Sequence, residues 1–443
     1  MLAHHLTAAG LPEAPVPLWQ SAGELAVKRM ALTDAISQLT RGLELVTTLP
    51  RSSERDTREL GLRTVLGTAW VALKGWAARE VWTSLHPALA LAKSLGRNDA
   101  LLPTLYGLSR FVLSEGRVAE ALPWDEEMLD TAKATGDADL LIMGHMSACS
   151  DYFWLGNLIK TLEHYNRVVT LYDAEKHRHL VDSLNHDPKT VVGVFSSIVT
   201  WMLGYPDRAV RLNDEQDAHA HRRAHPFDFG FALARGADVF DLRCEPYQLR
   251  KRAEECAQLG RDNSLPVLWA FMAPACYGVA LIREGKAAEG VATLKACLAV
   301  WDASGGKVWS PYAKAVVAEG MAMLGDIDAA LQLIDEQIAQ VERPGWEERL
   351  CYAETLRLKG WMLSLKGDLE GAARSYLAAL DWARQQQAKS WELRTSTSLA
   401  KLWQSQGKRR EAYDLLAPVY NWFTEGFDTK DLKDAKALLE QLA

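Results

Sequence analysis

The 443 residues lack the short motifs that usually announce chemistry. There is no GxxxxGK[ST] phosphate loop, because Gly305-Gly306-Lys307 is followed by Val308 and the first half of the motif is missing. Neither HExxH nor GxSxG occurs. The six cysteines (Cys149, Cys244, Cys256, Cys276, Cys297 and Cys351) form no CxxC pair. They read as small buried apolar residues of a reducing compartment. His219, His221 and His225 are the densest metal-like group, yet no carboxylate or cysteine stands at ligand spacing, so a polar turn into Pro226 is expected. Glu254-Glu255 and Glu347-Glu348 read as solvated helix faces rather than an acid/base pair. No enzyme activity, cofactor or metal follows from these residues.

Positive charge is also in short supply. Lys and Arg number 50 against 57 Asp and Glu, giving a net charge of −7. That excludes the broad basic field of a nucleic-acid binder, and Lys408-Arg409-Arg410 reads as a solvated turn. No long alternation of apolar and polar residues marks a sheet. Residues 190–206 and 263–282 carry no charge. The second is long enough to span a bilayer, but Pro266 and Pro274 interrupt it, so a loop and a buried helix are expected. No basic stretch followed by an apolar core opens the chain, and no signal peptide is read there. The expectation is a cytoplasmic protein without a membrane partner.

What the sequence does have is a repeat. Turn residues fall at Gly75, Gly116, Gly156, Gly204, Gly285, Gly325, Gly367 and Gly407, at steps of 41, 40, 48, 81, 40, 42 and 40. Cys244 divides the long step, and an earlier copy turns near Met30. Seven residues before each turn stands a small residue: Gly23, Thr68, Ser109, Cys149, Ser197, Ala237, Gly278, Ala318, Gly360 or Ala400. Two helices crossing closely at that point would require it. Five residues after the turn Ala35, Ala121, Ala209, Gly290, Ala330, Ala372 and Ala412 serve the second helix, whereas Glu80, Thr161 and Leu249 break the rule. Pro103, Pro274 and Pro311 fall where first helices begin. Apolar residues recur at helical spacing, as in Leu356, Leu363, Tyr376 and Leu380. Trp70, Trp361 and Trp403, among 16 tryptophans, read as fillers between helices, with an aromatic-lined channel as the rival reading.

This spacing resembles the tetratricopeptide (TPR) repeat, with Tyr165 and Tyr376 at its second-helix aromatic position. The period of about 40 exceeds the usual ~34. HEAT and armadillo repeats have about this period but not the Gly-x-x-x-[Glu/Asp]-Ala turns at Gly116–Ala121 and Gly407–Ala412. The resemblance implies an all-α, TPR-like α-α superhelix of about ten hairpins. It reads as a single solenoid over 1–443: a remnant of a preceding repeat at 1–13, hairpins over 14–427, and a capping helix over 428–443 started by Asp428 or Thr429. In such an array each repeat touches only its neighbours.

Longer stretches resemble one bacterial family. They are Leu2-Ala3-His4-His5-Leu6-Thr7-Ala8-Ala9-Gly10-Leu11, Trp19-Gln20-Ser21-Ala22-Gly23-Glu24-Leu25-Ala26, Ala388-Lys389-Ser390-Trp391-Glu392-Leu393-Arg394, Leu416-Ala417-Pro418-Val419-Tyr420 and Phe423-Thr424-Glu425-Gly426-Phe427-Asp428-Thr429. The family joins a nucleotide cyclase or DNA-binding domain, an AAA/STAND-type ATPase and a C-terminal TPR region. The resemblance covers only that tail. Neither the ATP-binding loop nor the cyclase's metal-binding carboxylates have a counterpart here, so neither activity carries over. A chain opening within a repeat is expected to be a regulatory tail severed from its ATPase.

Three readings follow. The first is a non-enzymatic scaffold that holds a protein or peptide, possibly an ATPase or cyclase, in its concave groove. The second is a ligand-sensing tail of an ATPase/cyclase signalling protein. The third is an enzyme site assembled across repeats. The candidate functional loop lies in the long step between Gly156 and Gly204, with His177, His179, His186 and Asp187 as its residues. The repeat signature itself rests on Gly278, Gly285, Gly325, Ala330, Gly360, Gly367, Ala372, Gly407 and Ala412.

Overall fold

A computed structural model describes residues 5, 13–29, 31–184 and 186–443. It is 81% helical, with no strand among the described residues. Among the described residues ten hairpins follow one another. They are α1 (Val16–Lys28) with α2 (Leu32–Thr48), α3 (Ser53–Lys74) with α4 (Arg79–Leu95), α5 (Leu101–Ser114) with α6 (Val118–Thr135), and α7 (Ala138–Trp154) with α8 (Leu158–Leu171). After a short α9 (Arg178–Leu184) come α10 (Pro188–Met202) with α11 (Pro206–Arg223), and a split first helix α12 (Pro226–Gly236) and α13 (Asp238–Leu242) with α14 (Pro246–Asp262). The last four are α15 (Ala273–Arg283) with α16 (Ala287–Ala303), α17 (Ser310–Met323) with α18 (Ile327–Val341), α19 (Tyr352–Lys366) with α20 (Leu369–Gln385), and α21 (Lys389–Ser405) with α22 (Arg409–Tyr420), before a final α23 (Lys430–Leu442). A π-helical turn, Val267–Met272, precedes α15. No helix among the described residues is long and apolar enough to cross a membrane. The turn near Met30 lies outside the described residues, as does the 1–13 remnant apart from His5 and Glu13.

All eight turn glycines have positive φ, and so does Cys244, at 59°. An L-residue there is strained, which is why glycine serves elsewhere. A second series stands about twenty residues after the first: Gly96, Gly136, Ala224, Ser264, Gly305, Gly345, Gln387 and Gly426 all have positive φ. These residues stand at or shortly after the ends of second helices, so eight of the hairpins carry a left-handed residue at both places, whereas those ending at Thr48 and Leu171 do not. Only half of that rhythm is visible in the repeat phrase, because alanine, serine and glutamine fill three places of the second series.

The small residues sit where helices nearly touch. A Cβ on Gly290 would lie 2.7 Å from the Gly278 carbonyl oxygen, and one on Gly360 would lie 2.7 Å from the Tyr376 ring. The first complete hairpin departs from the expected register. Thr68 is exposed, and Gly67 makes the close crossing, against Leu85. The cause is a longer turn: α4 starts four residues after Gly75, whereas second helices elsewhere start two after their glycine. Thr161 and Leu249 are buried like the alanines they replace, so of the three expected irregular positions only Glu80 departs. Pro103, Pro274 and Pro311 fall in first helical turns. Thr429 occupies the N-cap of α23, but its hydroxyl donates to the Gly426 carbonyl rather than capping the helix.

The chain divides into two compact units, residues 1–147 with 302–306, and residues 148–301 with 307–443. In unit 2 the hairpins do more than touch their neighbours. Arg349 and Leu350 donate backbone N–H groups to the Trp154 carbonyl, at 2.9 and 3.2 Å. Gln386 Nε2 donates to the carbonyls of Gly156 and Arg349. The Ser390 hydroxyl donates to the Trp201 carbonyl, and Glu425 accepts from the N–H groups of Asp207 and Arg208. Early turns therefore dock on late inter-hairpin loops. A Cβ on Gly156 or Gly204 would collide with those loops, whereas Gly285, Gly325, Gly367 and Gly407 face open space. Unit 1 repeats the device once, with Gly305 against Ala77. Expectation and structure differ here because a tightly wound array brings one coil onto the next, which nearest-neighbour reasoning omits.

Arg394 is the centre of the docking in unit 2. Its Nη2 donates to the Leu242 carbonyl at 2.7 Å, its guanidinium pairs with Asp431 and, at 3.6 Å, with Glu354, and it lies over the rings of Trp201 and Trp391. Removing it strands Asp431 and uncovers the Leu242 carbonyl, while Glu354 keeps its two bonds from Arg357, so Arg394→Ala should cost ~3 kcal/mol. Arg374→Ala, at an exposed pair with Glu370, should cost less than about 0.5 kcal/mol. Urea unfolding followed by circular dichroism separates the two, and equal midpoints would refute the docking role. By the same measurement Gly290→Ala should lose about 1–3 kcal/mol through overpacking against the Gly278 backbone.

Candidate functional site

The long step between Gly156 and Gly204 contains α9 and ends on Asp187, which is fully buried. Asp187 caps α10 by accepting from Lys189 N–H at 2.9 Å. It also accepts from the Tyr172 hydroxyl at 2.6 Å and pairs with Arg223 at 3.1 Å and His219 at 3.3 Å. Burial opposes its charge, but the hydrogen bonds from His219 and Tyr172 win, and the carboxyl is held below its ordinary range. Asp228 lies behind it, accepting from Asp187 N–H at 3.0 Å and Thr190 Oγ1 at 2.8 Å. Burial first, and then the charge of Asp187, push Asp228 up to about 7. His177 is buried and stacks on Tyr172, His186 packs edge-on to Phe227 and Phe231, and His179 is exposed with Nδ1 at the Lys176 carbonyl. Asp187 and His177 thus belong to one buried polar knot, while His186 packs on two phenylalanine rings and His179 is exposed. His219, read as part of a surface turn, is a buried member of that knot. No group of three or more His, Cys, Asp or Glu suited to a metal occurs among the described residues.

A cavity of about 40 Å³ lies in unit 2, and none of the four loop residues lines it. Its walls come from several hairpins. Phe153 and Trp154 end α7, Ile198 and Met202 come from α10, and Asp238, Asp241 and Leu242 from the split first helix. Trp309, Pro311 and Tyr312 sit at the start of α17, with the segment Glu348–Cys351 and the start of α19 opposite. Docking of residues 349–350 on Trp154 places that last segment. Four of the five cavity-lining aromatic rings, those of Trp154, Trp309, Tyr312 and Tyr352, also carry polar atoms.

Each acidic group in the wall has a different setting. Asp241 accepts from Arg283 Nε and from the Tyr312 hydroxyl, both at 2.7 Å. Asp238 pairs with Arg235 at 3.4 Å and keeps 34% of its side chain exposed. Burial raises it to about 6, against the pull of Arg235. Glu348 is 5% exposed and accepts from the Trp309 N–H at 3.0 and 3.1 Å. Burial raises it well above the usual carboxylate range despite that bond. It was expected on a solvated helix face; it lies between helices, turned into the interior. Trp309 itself has φ 74°, a rare conformation for a bulky residue. Burial, and then the charge of Glu348, push the Cys351 thiol up, so it stays protonated and unreactive.

No protein-family profile matches the chain. An uncharacterized protein of Rhizobium meliloti (strain 1021) is 23% identical over 419 residues, 90% of this chain. The chain spans 39% of that relative's length. Among solved structures, a Rap protein complexed with competence and sporulation factor aligns over 97% of this chain and 99% of its own, at 10% identity and a TM-score of 0.42. The Cut9-Hcn1 hetero-tetramer aligns over 100% of this chain and 88% of its own, at 12% identity and a TM-score of 0.46. The human IFIT1 dimer with PPP-AAAA aligns over 95% and 88%, at 13% identity and a TM-score of 0.47.

Sequence reasoning missed the cavity residues. Asp238 and Asp241 are three apart in the repeat whose turn is Cys244, so the degenerate copy was itself a signal. Glu348 and Trp309 lie in inter-hairpin segments, where the repeat phrase is silent. A carboxyl whose pKa is raised by folding binds its proton more tightly folded than unfolded, so stability falls as pH climbs from its ordinary 3.8 through the raised value. The thermal midpoint should therefore fall between pH 4 and about 7. Asp228→Asn should flatten the upper part of that fall and Asp238→Asn the lower part, as differential scanning fluorimetry across pH would show. An unchanged slope in both variants would contradict the assigned burial.

Proposed function

We propose that this chain is a non-enzymatic, TPR-like interaction scaffold of a cytoplasmic regulatory or signalling system, and that the cavity of unit 2 is where it grips a partner peptide. The observation that carries this reading is the cavity's construction. It is small, built from several hairpins, mostly aromatic and aliphatic, and supplied with a few buried polar groups, which is the composition of a recognition pocket. Its one thiol is held protonated, which disfavours a cysteine nucleophile.

A second reading is a ligand-sensing region of an ATPase- or cyclase-linked signalling protein. What supports it is the set of residue stretches that resemble the tail of that family; the relative, of which this chain spans 39%, shows only that such a region occurs within a longer protein. A small ligand in the cavity would then bias the coil contacts made by residues 349–350 and Arg394.

Selection of a displayed random peptide library on the full chain tests the first reading. Peptides binding at micromolar affinity are expected, and Thr355→Phe, which fills the cavity from α19, should weaken them at least tenfold by isothermal titration calorimetry while leaving the circular dichroism unchanged. Failure to select any peptide would overturn the scaffold reading; binding unaffected by the filled cavity would overturn its location.

A further inference from the structure

The turn edge of unit 2 is covered only in part. Trp154, Met202 and Leu242 each stand two residues before their turn residue, and all three meet later segments of the chain. Met202 and Leu242 are 1% and 4% exposed there. Met323 and Leu365 stand at the same position, two before Gly325 and Gly367, yet they are 46% and 47% exposed. Leu324, beside Met323, is 54% exposed. Lys366 Nζ donates to Asp328 at 2.6 Å, which ties these two turns into one edge. The end of a repeat array is usually sealed by polar side chains. This edge instead carries the apolar residues that its covered counterparts bury, and exposed apolar surface gathered in this way marks an interaction site.

The other half of the seam also recurs uncovered. In the covered part, Trp391 follows the positive-φ residue Gln387 by four, is 1% exposed, and meets the Trp201 ring edge-on at 4.9 Å. Trp422 reaches the turn at Gly204, where a Cβ would lie 2.4 Å from its ring. Trp269 follows the positive-φ residue Ser264 by five, but it is 42% exposed, and Val267 is 41% exposed. The π-helical turn Val267–Met272 carries both, and such turns concentrate at functional sites. The covered seam thus displays what fits a turn edge: a junction between hairpins, led by a tryptophan.

We propose that the open turn edge at Met323, Leu324 and Leu365 takes the Val267–Trp269 segment of a second copy of this chain, head to tail, in the mode of the internal seam. Continuity with that seam carries the choice of occupant. Each copy holds both open halves, so the chain itself supplies the matching piece. The two patches differ, so the contact is heterologous, and a head-to-tail dimer leaves one edge of each kind free. Association therefore continues past the dimer unless the rotation closes a ring. A contact of so few residues lies at the weak end of interfaces, with half-association at about 10–100 µM. The surfaces are apolar while each copy carries a net charge of −7. Added salt screens that repulsion and strengthens the contact. The cavity takes no part, so peptide binding and self-association can fail independently.

Sedimentation equilibrium of the full chain across that concentration range, at low and high NaCl, tests this. A weight-average mass that rises with concentration, and further with salt, is expected. Trp269→Glu, and separately Leu324→Glu with Leu365→Glu, should raise the half-association concentration at least tenfold. Leu377→Glu, at a residue 46% exposed in the middle of α20, should leave it unchanged. Circular dichroism should report an intact fold in all of them, since each replaced side chain is exposed. Mixing the two edge variants should restore a 1:1 dimer and nothing larger, because one keeps its turn edge and the other its loop edge. A chain that stays monomeric up to about 1 mM, an equal response to Leu377→Glu, or a mixture no more associated than its parts overturns the inference.

Discussion

Unit 2 depends on a single geometrical constraint: the turns of its early hairpins must meet the loops of its late ones. Most hydrogen bonds in that seam involve backbone on one side, met by the side chains of Gln386, Ser390, Arg394 and Glu425, so the match needs both register and these particular residues. Buried backbone groups must be paired, and here the partners of the Trp154, Gly156, Trp201 and Leu242 carbonyls come from residues 349–394. Arg394 fastens the seam by joining a carbonyl, two carboxylates and two tryptophan faces. Once the coil is closed in this way, the interior of unit 2 is a bounded space, and the residual cavity with its acidic and aromatic wall is what remains of the groove.

The repeat was legible because its cause is local. A left-handed turn and a close helix crossing each restrict residue type at a fixed spacing, so Gly360, Gly367 and Ala372 announce their roles within thirteen residues. Even Cys244, with the wrong residue type, could be placed by counting from its neighbours. Where the first turn lengthened by two residues, counting failed by one position, and Gly67 rather than Thr68 makes the crossing. The second series of caps was hidden because Ala224, Ser264 and Gln387 tolerate positive φ without advertising it.

The site was not legible, for the opposite reason. Asp238, Trp309 and Glu348 are more than a hundred residues apart at their extremes, and no spacing rule links them. Their meeting depends on how tightly the array winds, a property summed over many small inter-hairpin angles. The His- and Asp-rich loop looked functional by composition. Its most buried member, Asp187, instead serves as a helix cap and the hub of a polar knot, a task that also demands a carboxylate and its donors.

The seam has a consequence for how the chain is made. Its partners are separated by about 150 to 230 residues, as in Leu242 with Arg394 and Gly156 with Gln386. A repeat array that grows by adding neighbours could settle hairpin by hairpin as it leaves the ribosome. Here the early turns of unit 2 emerge with their docking carbonyls uncovered, and they wait until most of the remaining chain has been synthesised. Contacts of such long range slow folding, and they turn a modular array into a unit whose last hairpins complete its first.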